Sequence, residues 1–147
     1  TSDITVHHLR DEIKKLYAPP HADSLKIVIN SFGFGKGLPL ESDMVIDVRF
    51  LPNPYFEETL KFQTGLDDQV RQWVLSKDTT AKFLKKLEDL LQFLLPLYIR
   101  EGKQYFTVSI GCTGGRHRSV VIAQHIAKRL SVMGYSGVQV RHRELET

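Results

Sequence analysis

The stretch Ser109-Ile-Gly-Cys-Thr-Gly-Gly-Arg-His-Arg-Ser-Val120 gathers more groups able to do chemistry than any other part of the chain. It reads as a strand that runs into a loop with two adjacent glycines and from there directly into a helix. In a parallel α/β sheet such a loop lies at the carboxyl ends of the strands, where ligands bind. Glycines leave backbone N–H groups unobstructed, and N–H groups at a helix N-terminus favour an anion. Arg116, His117 and Arg118 add charge beside them, Thr113 and Ser119 add hydroxyls, and an arginine can grip phosphate through two parallel hydrogen bonds. Three basic residues at a helix start oppose the helix dipole, which an ordinary solvated turn would have no reason to do. The expectation is a phosphate or phosphate-ester site at Cys112, Thr113, Gly114, Gly115, His117, Arg118 and Ser119.

The same segment has a second reading. Cys112 and Arg118 are separated by five residues and followed by Ser119, the spacing of the tyrosine-phosphatase loop. There a thiolate attacks phosphorus while loop amides and the arginine hold the oxygens. Gly111 stands where that pattern has histidine, and no nearby motif nominates an aspartate as general acid, so Cys112 reads first as a buried residue lining the pocket. Two further segments bear on the site. Asp47-Val-Arg49 ends a strand; if that edge faces the double glycine, Asp47 accepts from a hydroxyl or amine and Arg49 assists with phosphate. Ser31-Phe-Gly-Phe-Gly-Lys-Gly37 is glycine-rich but fits neither common nucleotide-binding pattern. No pair of histidines has metal-binding spacing with a carboxylate partner, so no metal is expected, and Trp73 reads as a core anchor.

The elements that must position these groups follow from periodicity. A polar lead-in, Thr1–Thr5, precedes a helix over Val6–Tyr17, stopped by Pro19 and Pro20; His7 and His8 fall on its exposed face. Leu25–Ser31 and Met44–Val48 read as strands buried on both faces. A short helix from Asp67 or Asp68 to Trp73 is followed by a long one from Thr79 to about Ile99. In the long helix Leu84, Leu87, Leu91 and Leu95 lie on a wide apolar stripe and Pro96 kinks it or marks its last turn. Tyr105–Ile110, a helix over His117–Met133 ending at Gly134, and a strand over Gly137–Arg141 complete the order. Alternating strands and helices predict an α/β fold with a small, mainly parallel sheet flanked by helices. The organisation expected is a lead-in and first helix over 1–20 and one α/β domain over 21–147.

Composition narrows the class. The 147 residues are 41% hydrophobic and 10% aromatic, which excludes a disordered tail, and one cysteine excludes an internal disulfide or a zinc site built on paired cysteines. No apolar run approaches the length of a membrane span, and no secretory signal opens the chain, so a cytoplasmic location is expected. The 20 Lys and Arg against 17 Asp and Glu give a net charge of +3 that is unevenly spread. Residues 100–147 hold eight basic and three acidic side chains, whereas the preceding 99 hold 12 and 14. Such asymmetry points to an anionic partner. Lys128, Arg129, Arg141, His142 and Arg143 are the candidates for contact with nucleic acid, which predicts salt-sensitive binding.

Five ordered motifs then identify a resemblance. They are Asn30-Ser-Phe-Gly-Phe-Gly35, Asp47-Val-Arg-Phe-Leu-Pro-Asn-Pro54, Thr64-Gly-Leu-Asp67, Gly111-Cys-Thr-Gly-Gly-Arg-His-Arg-Ser-Val120 and Arg141-His-Arg143. Together they resemble the C-terminal domain of the RapZ/YvcJ family from about Ser2 onward. The resemblance implies a fold similar to a phosphofructokinase subdomain and a regulatory domain rather than an enzyme. It implies an RNase adapter that binds small regulatory RNA and senses glucosamine-6-phosphate. The site it implies maps onto Cys112, Thr113, Gly114, His117, Arg118, Asp47 and Arg49. It further implies a preceding nucleotide-binding domain with a Walker A loop, absent here, so no nucleotide cofactor is expected of this chain. An RNase or signalling protein is among the implied partners, and self-association into a homo-oligomer is left open. Two departures stand out: Tyr55 replaces the histidine of some relatives after Asn53-Pro54, and the chain ends Arg143-Glu-Leu-Glu-Thr147 without a strongly basic tail.

Overall fold

The computed structural model describes residues 19–146. The lead-in segment and first helix predicted over Thr1–Tyr17, with His7 and His8, lie outside the described residues. Four strands, β1 (Lys26–Gly33), β2 (Met44–Asp47), β3 (Tyr105–Cys112) and β4 (Gly137–His142), form one sheet in the order β2-β3-β1-β4, and every pairing is parallel. Among the described residues the α-helices are α1 (Asp68–Leu75), α2 (Asp78–Arg100) and α3 (Arg118–Val132). The predicted α/β architecture is thus present, and the sheet is wholly parallel. Because β3 and β4 flank β1, α3 crosses over β1 between them, and the turn entering α3 stands at the carboxyl ends of the two central strands.

One face of the sheet carries the core. Ile27 and Ile29 of β1 and Val108 and Ile110 of β3 pack against Ile122, Ile126 and Leu130 of α3 and against Leu84, Leu87, Leu91 and Leu95 of α2. Each such side chain contributes on the order of 2 kcal/mol on burial. A smaller cluster of Leu60, Val70, Val74 and Val121 fixes α1 and the preceding loop to α3. Trp73 packs on the edge of this cluster, half-buried, with the Lys77 ammonium 4.2 Å from its ring centre, and is not the core anchor expected of it.

The expectation of strands buried on both faces is corrected. β2 alternates between half-buried and exposed residues, and Val28 and Asn30 of β1 are only partly buried between fully buried neighbours. The reason is that the helices pack on the face bearing Ile27 and Ile29, leaving Val45, Gln139 and Arg141 exposed on the other. The run of β-branched residues in β1 therefore reports strand propensity rather than two-sided burial.

Helix boundaries match their chemical signals closely. Pro96 lies within α2, one turn from its end, and the carbonyl of Gln92 that it leaves without an N–H donor belongs to an exposed residue. At the end of α3 Gly134 takes φ 105°, and the N–H groups of Gly134 and Tyr135 donate to the carbonyls of Ser131 and Leu130. This pair of back-bonds closes the helix in a conformation that an L side chain would resist. β3 runs two residues beyond its predicted end, so Gly111 and Cys112 belong to the strand and the loop proper begins at Thr113.

Candidate functional site

The segment after β3 forms a turn held from three sides. Gly115 adopts φ 76°, and a Cβ there would lie 2.5 Å from the Gly33 nitrogen at the end of β1. Two backbones meet at that point with no side chain between them. On the outer side the Gly65 N–H donates to the Arg116 carbonyl at 2.8 Å, which ties the Thr64–Asp67 turn to the loop. Inside the turn the Gly115 N–H donates to Cys112 Sγ at 3.3 Å, and Ser119 Oγ lies 3.2 Å from the same sulfur. Cys112 is buried. Of the two glycines in the turn, Gly114 has open space where a side chain would project.

Among the described residues Arg118 is the charged residue most deeply placed, with 4% of its surface exposed. Its Nη1 donates to the carbonyls of Arg49 at 2.6 Å and Leu51 at 2.9 Å, and Nη2 approaches Thr113 Oγ1 at 3.4 Å. Its Nε has no partner, nor does Nε2 of the adjacent buried His117. Burial, with the neighbouring charges of Arg116 and Arg118, pushes the His117 imidazole below its ordinary range despite opposition from the Gln63 and Lys61 carbonyls. A buried donor left without a partner costs about 1–3 kcal/mol, more when charged. Arg118, which carries that penalty, and the adjacent His117 line the same opening.

That opening is a cavity of about 410 Å³ lined by Asn53, Tyr55, Phe56, Cys112, Thr113, Gly114, Arg116, His117 and Arg118. Of the predicted ligand residues, the structure brings Cys112, Thr113, Gly114, His117 and Arg118 to it. Gly115 and Ser119 stand behind the loop as supports. Asn53 and Phe56 come from a one-turn 3₁₀ helix, Pro54–Phe56, whose start is capped by Asn53 Oδ1 accepting the Tyr55 N–H at 3.1 Å. Pro52-Asn53-Pro54 is turn-forming by composition, but nothing in its pattern places that turn against a loop some sixty residues later.

Asp47 and Arg49 do not line the cavity. Arg49 donates to Asp47 through Nε and Nη2, with the closest approach 2.7 Å, and stacks 4.0 Å from the Phe34 ring centre. The Arg49 hydrogen bond holds the Asp47 carboxyl below the usual range, with a further contribution from the charge of Arg118. What this strand end gives the site is the Arg49 carbonyl that positions Arg118.

The five candidate nucleic-acid residues are dispersed. Arg129 pairs with Glu88 on α2 at 2.6 Å. His142 Nδ1 is 2.6 Å from Ser31 Oγ, on the sheet face opposite that of Arg141. Arg143 bonds Glu144 and the carbonyls of Gly33 and Gly37. Lys128 and Arg141 have no ion-pair partner among the described residues; Lys128 lines a larger groove of about 970 Å³ between α1, α3 and β4. That groove is bigger than the loop cavity but contains neither the glycine turn nor the unpartnered buried nitrogens. Among the described residues no helix is long and apolar enough to cross a membrane.

Comparison with known proteins places the chain in a family. The sequence pattern of the family described as RapZ C-terminal domain matches residues 25–146. Proteins named nucleotide-binding protein are similar to the chain in Geotalea daltonii, at 51% identity over 99% of this chain and 51% of the relative. One from Bacillus cytotoxicus is 47% identical over 99% of this chain and 49% of its own length. Another, from Clostridium botulinum, is 47% identical over 99% of this chain and 50% of its own. The chain therefore spans about half the length of the curated relatives it matches.

Proposed function

Because the chain belongs to the RapZ C-terminal domain family, we propose that it is the regulatory, metabolite-sensing domain of an RNase-adapter-type protein and that its loop cavity binds a phosphorylated amino sugar of the glucosamine-6-phosphate class. The phosphate sits on the turn Thr113–Ser119 at the start of α3, where Gly114 leaves the backbone open and Arg118 and His117 supply donors. The sugar lies against Asn53, Tyr55 and Phe56, with hydroxyls and an amine within reach of the Asn53 amide. Asp47 and Arg49 act on this ligand mainly through the placement of Arg118. The observation that carries the reading is the buried, unpartnered Nε of Arg118, a residue that lines the cavity. Calorimetry with glucosamine-6-phosphate tests it. Saturable binding lost in Arg118→Lys, a variant that keeps the charge but not the fork, is the expected result, and binding unchanged by that substitution removes the site.

The phosphatase reading has one observation in its favour: Cys112 Sγ receives a backbone N–H and faces a serine hydroxyl, as a thiolate nucleophile would require. Against it, no carboxylate lines the cavity to protonate a leaving group. We therefore read the loop as a binding site, and turnover of p-nitrophenyl phosphate that disappears in Cys112→Ser is the result that would reverse this. Small-RNA binding and a cytoplasmic location belong to the same proposal, with Lys128 and Arg141, which have no ion-pair partner among the described residues, as the RNA contacts.

A further inference from the structure

We infer that Glu144 is a positioning residue for the anion loop, and that together with Arg143 it forms a clasp that holds Gly33 and, through Gly33, the Gly114-Gly115 turn. This rests on reading the loop as an anion site. The clasp is built from groups that secondary structure leaves unpaired. The pairing of β1 with β4 ends at Ser31 opposite His142, so the Gly33 N–H lies beyond the last β4 partner. Glu144, in the 3₁₀ turn Arg143–Leu145 that follows β4, takes up that N–H with Oε2 at 2.7 Å. Arg143 closes the other side: Nη2 donates to the carbonyls of Gly33 at 3.2 Å and Gly37 at 2.8 Å, while Nε donates to Glu144 at 2.9 Å.

The contact with the anion loop is direct. A Cβ on Gly115 would stand 2.5 Å from Glu144 Cγ, and a Cβ on Gly33 would stand 2.6 Å from the Gly114 carbonyl carbon. Gly33 and Glu144 thus form the back wall of the turn whose front lines the cavity. Only 10% of the Glu144 side chain is exposed. Burial opposes its charge, but the Gly33 N–H and the Arg143 guanidinium outweigh burial and keep the carboxyl below its ordinary range, with Lys36 acting in the same sense. Charge alone gives no reason to place a carboxylate behind an anion site, since it would repel the ligand. A fixed wall does: preorganised N–H donors bind only if their backbone is held against displacement.

Two variants test the role, with calorimetry against inorganic phosphate and glucosamine-6-phosphate, amide hydrogen exchange at Gly33 and Gly115, and thermal melting. The clasp predicts that Glu144→Ala weakens both ligands about tenfold, as loss of a positioning group does. It also predicts faster exchange at both glycines. Glu144→Gln, which keeps the shape and one acceptor, should fall between this variant and the unaltered protein. Electrostatics without positioning predicts the reverse, because removing the carboxylate frees Arg143 and tightens anion binding. Tightened or unchanged affinity therefore overturns the proposal, as does unchanged exchange at Gly115. If Glu144→Ala melts too low for calorimetry, the Gln variant with a near-normal melting point and weakened binding supports positioning, and normal binding rejects it. Failure of the unaltered protein to bind either ligand overturns the anion reading and this role with it; normal binding in both variants overturns this role alone.

Discussion

The chain has two basic stretches of similar length, and the fold treats them in opposite ways. Arg116-His117-Arg118 lies on one turn at the end of β3, and all three residues line the same cavity. In the stretch Arg141-His142-Arg143 the first two residues end β4, where successive side chains point to opposite faces, and Arg143 opens the 3₁₀ turn that follows; the fold ties two of the three to internal partners. Arg129 is likewise held by Glu88. A run of cations becomes a site when a turn converges it and leaves donors unpaired; on a strand end it becomes structural glue.

The largest test of that contrast sets Arg118 against Arg129, a cation that the fold ties to an internal partner. Arg118→Ala should cost about 2–4 kcal/mol of stability, because the carbonyls of Arg49 and Leu51 lose their buried donor, and should abolish measurable phosphate binding. Arg129→Ala breaks a pair whose arginine is largely exposed, and should cost no more than about 1 kcal/mol with no change in phosphate affinity. Urea denaturation and calorimetry on both variants decide the matter; equal losses would erase the distinction.

Gly115→Ala probes the turn itself. The added methyl faces the φ of 76° and the Gly33 nitrogen at 2.5 Å, so roughly 1–3 kcal/mol of strain is expected. Gly114→Ala, which projects into open space, should leave stability nearly unchanged while obstructing phosphate. A melting series with and without phosphate separates the two effects.

This division was partly legible in the sequence. The strand, double glycine and helix start around Cys112 announce themselves because all their groups are contiguous, and local turn chemistry fixes their arrangement. The α/β order was legible for the same reason. Asn53 and Phe56 were not, since their place at the cavity depends on how the irregular segment after β2 packs against α3. The engagement of Arg143 by Glu144 was also hidden: the sequence shows a cation next to an anion, but not the free Gly33 N–H waiting for a buried acceptor. One-sided burial of β1 is not legible in its residues, because β-branched residues serve an exposed strand face as well as a buried one.

A smaller effect concerns His117. Burial lowers its pKa, as it does those of His125 and His142, so the unfolded chain takes up protons near pH 6.5 while the folded chain does not. Stability from these groups is present above about pH 6.5 and declines as pH falls below it. An anion in the cavity changes the balance at His117 alone, since it favours the imidazolium. Sulfate, whose charge is constant over this range, should bind several-fold more tightly at pH 5.5 than at 7.5. His117→Asn should flatten that dependence, whereas His125→Asn, on the far side of α3 beside Glu88, should leave it intact.

The smallest expected change tests whether anything of the C-terminal stretch is available to RNA. With single-stranded RNA each phosphate neutralised steepens the salt dependence by about 0.7 in log–log slope. Lys128 and Arg141, free of ion pairs among the described residues, should each reduce the slope by about that amount when replaced by alanine, with only a modest loss of affinity at low salt. Arg143→Ala should leave the slope unchanged, because its donors already serve Glu144, Gly33 and Gly37. It should instead weaken phosphate binding through the loosened clasp. Fluorescence anisotropy across a salt series reads all three variants. A slope reduced by Arg143→Ala as much as by Arg141→Ala would mean that RNA opens the clasp, and the two basic stretches would then form one connected anion-binding system.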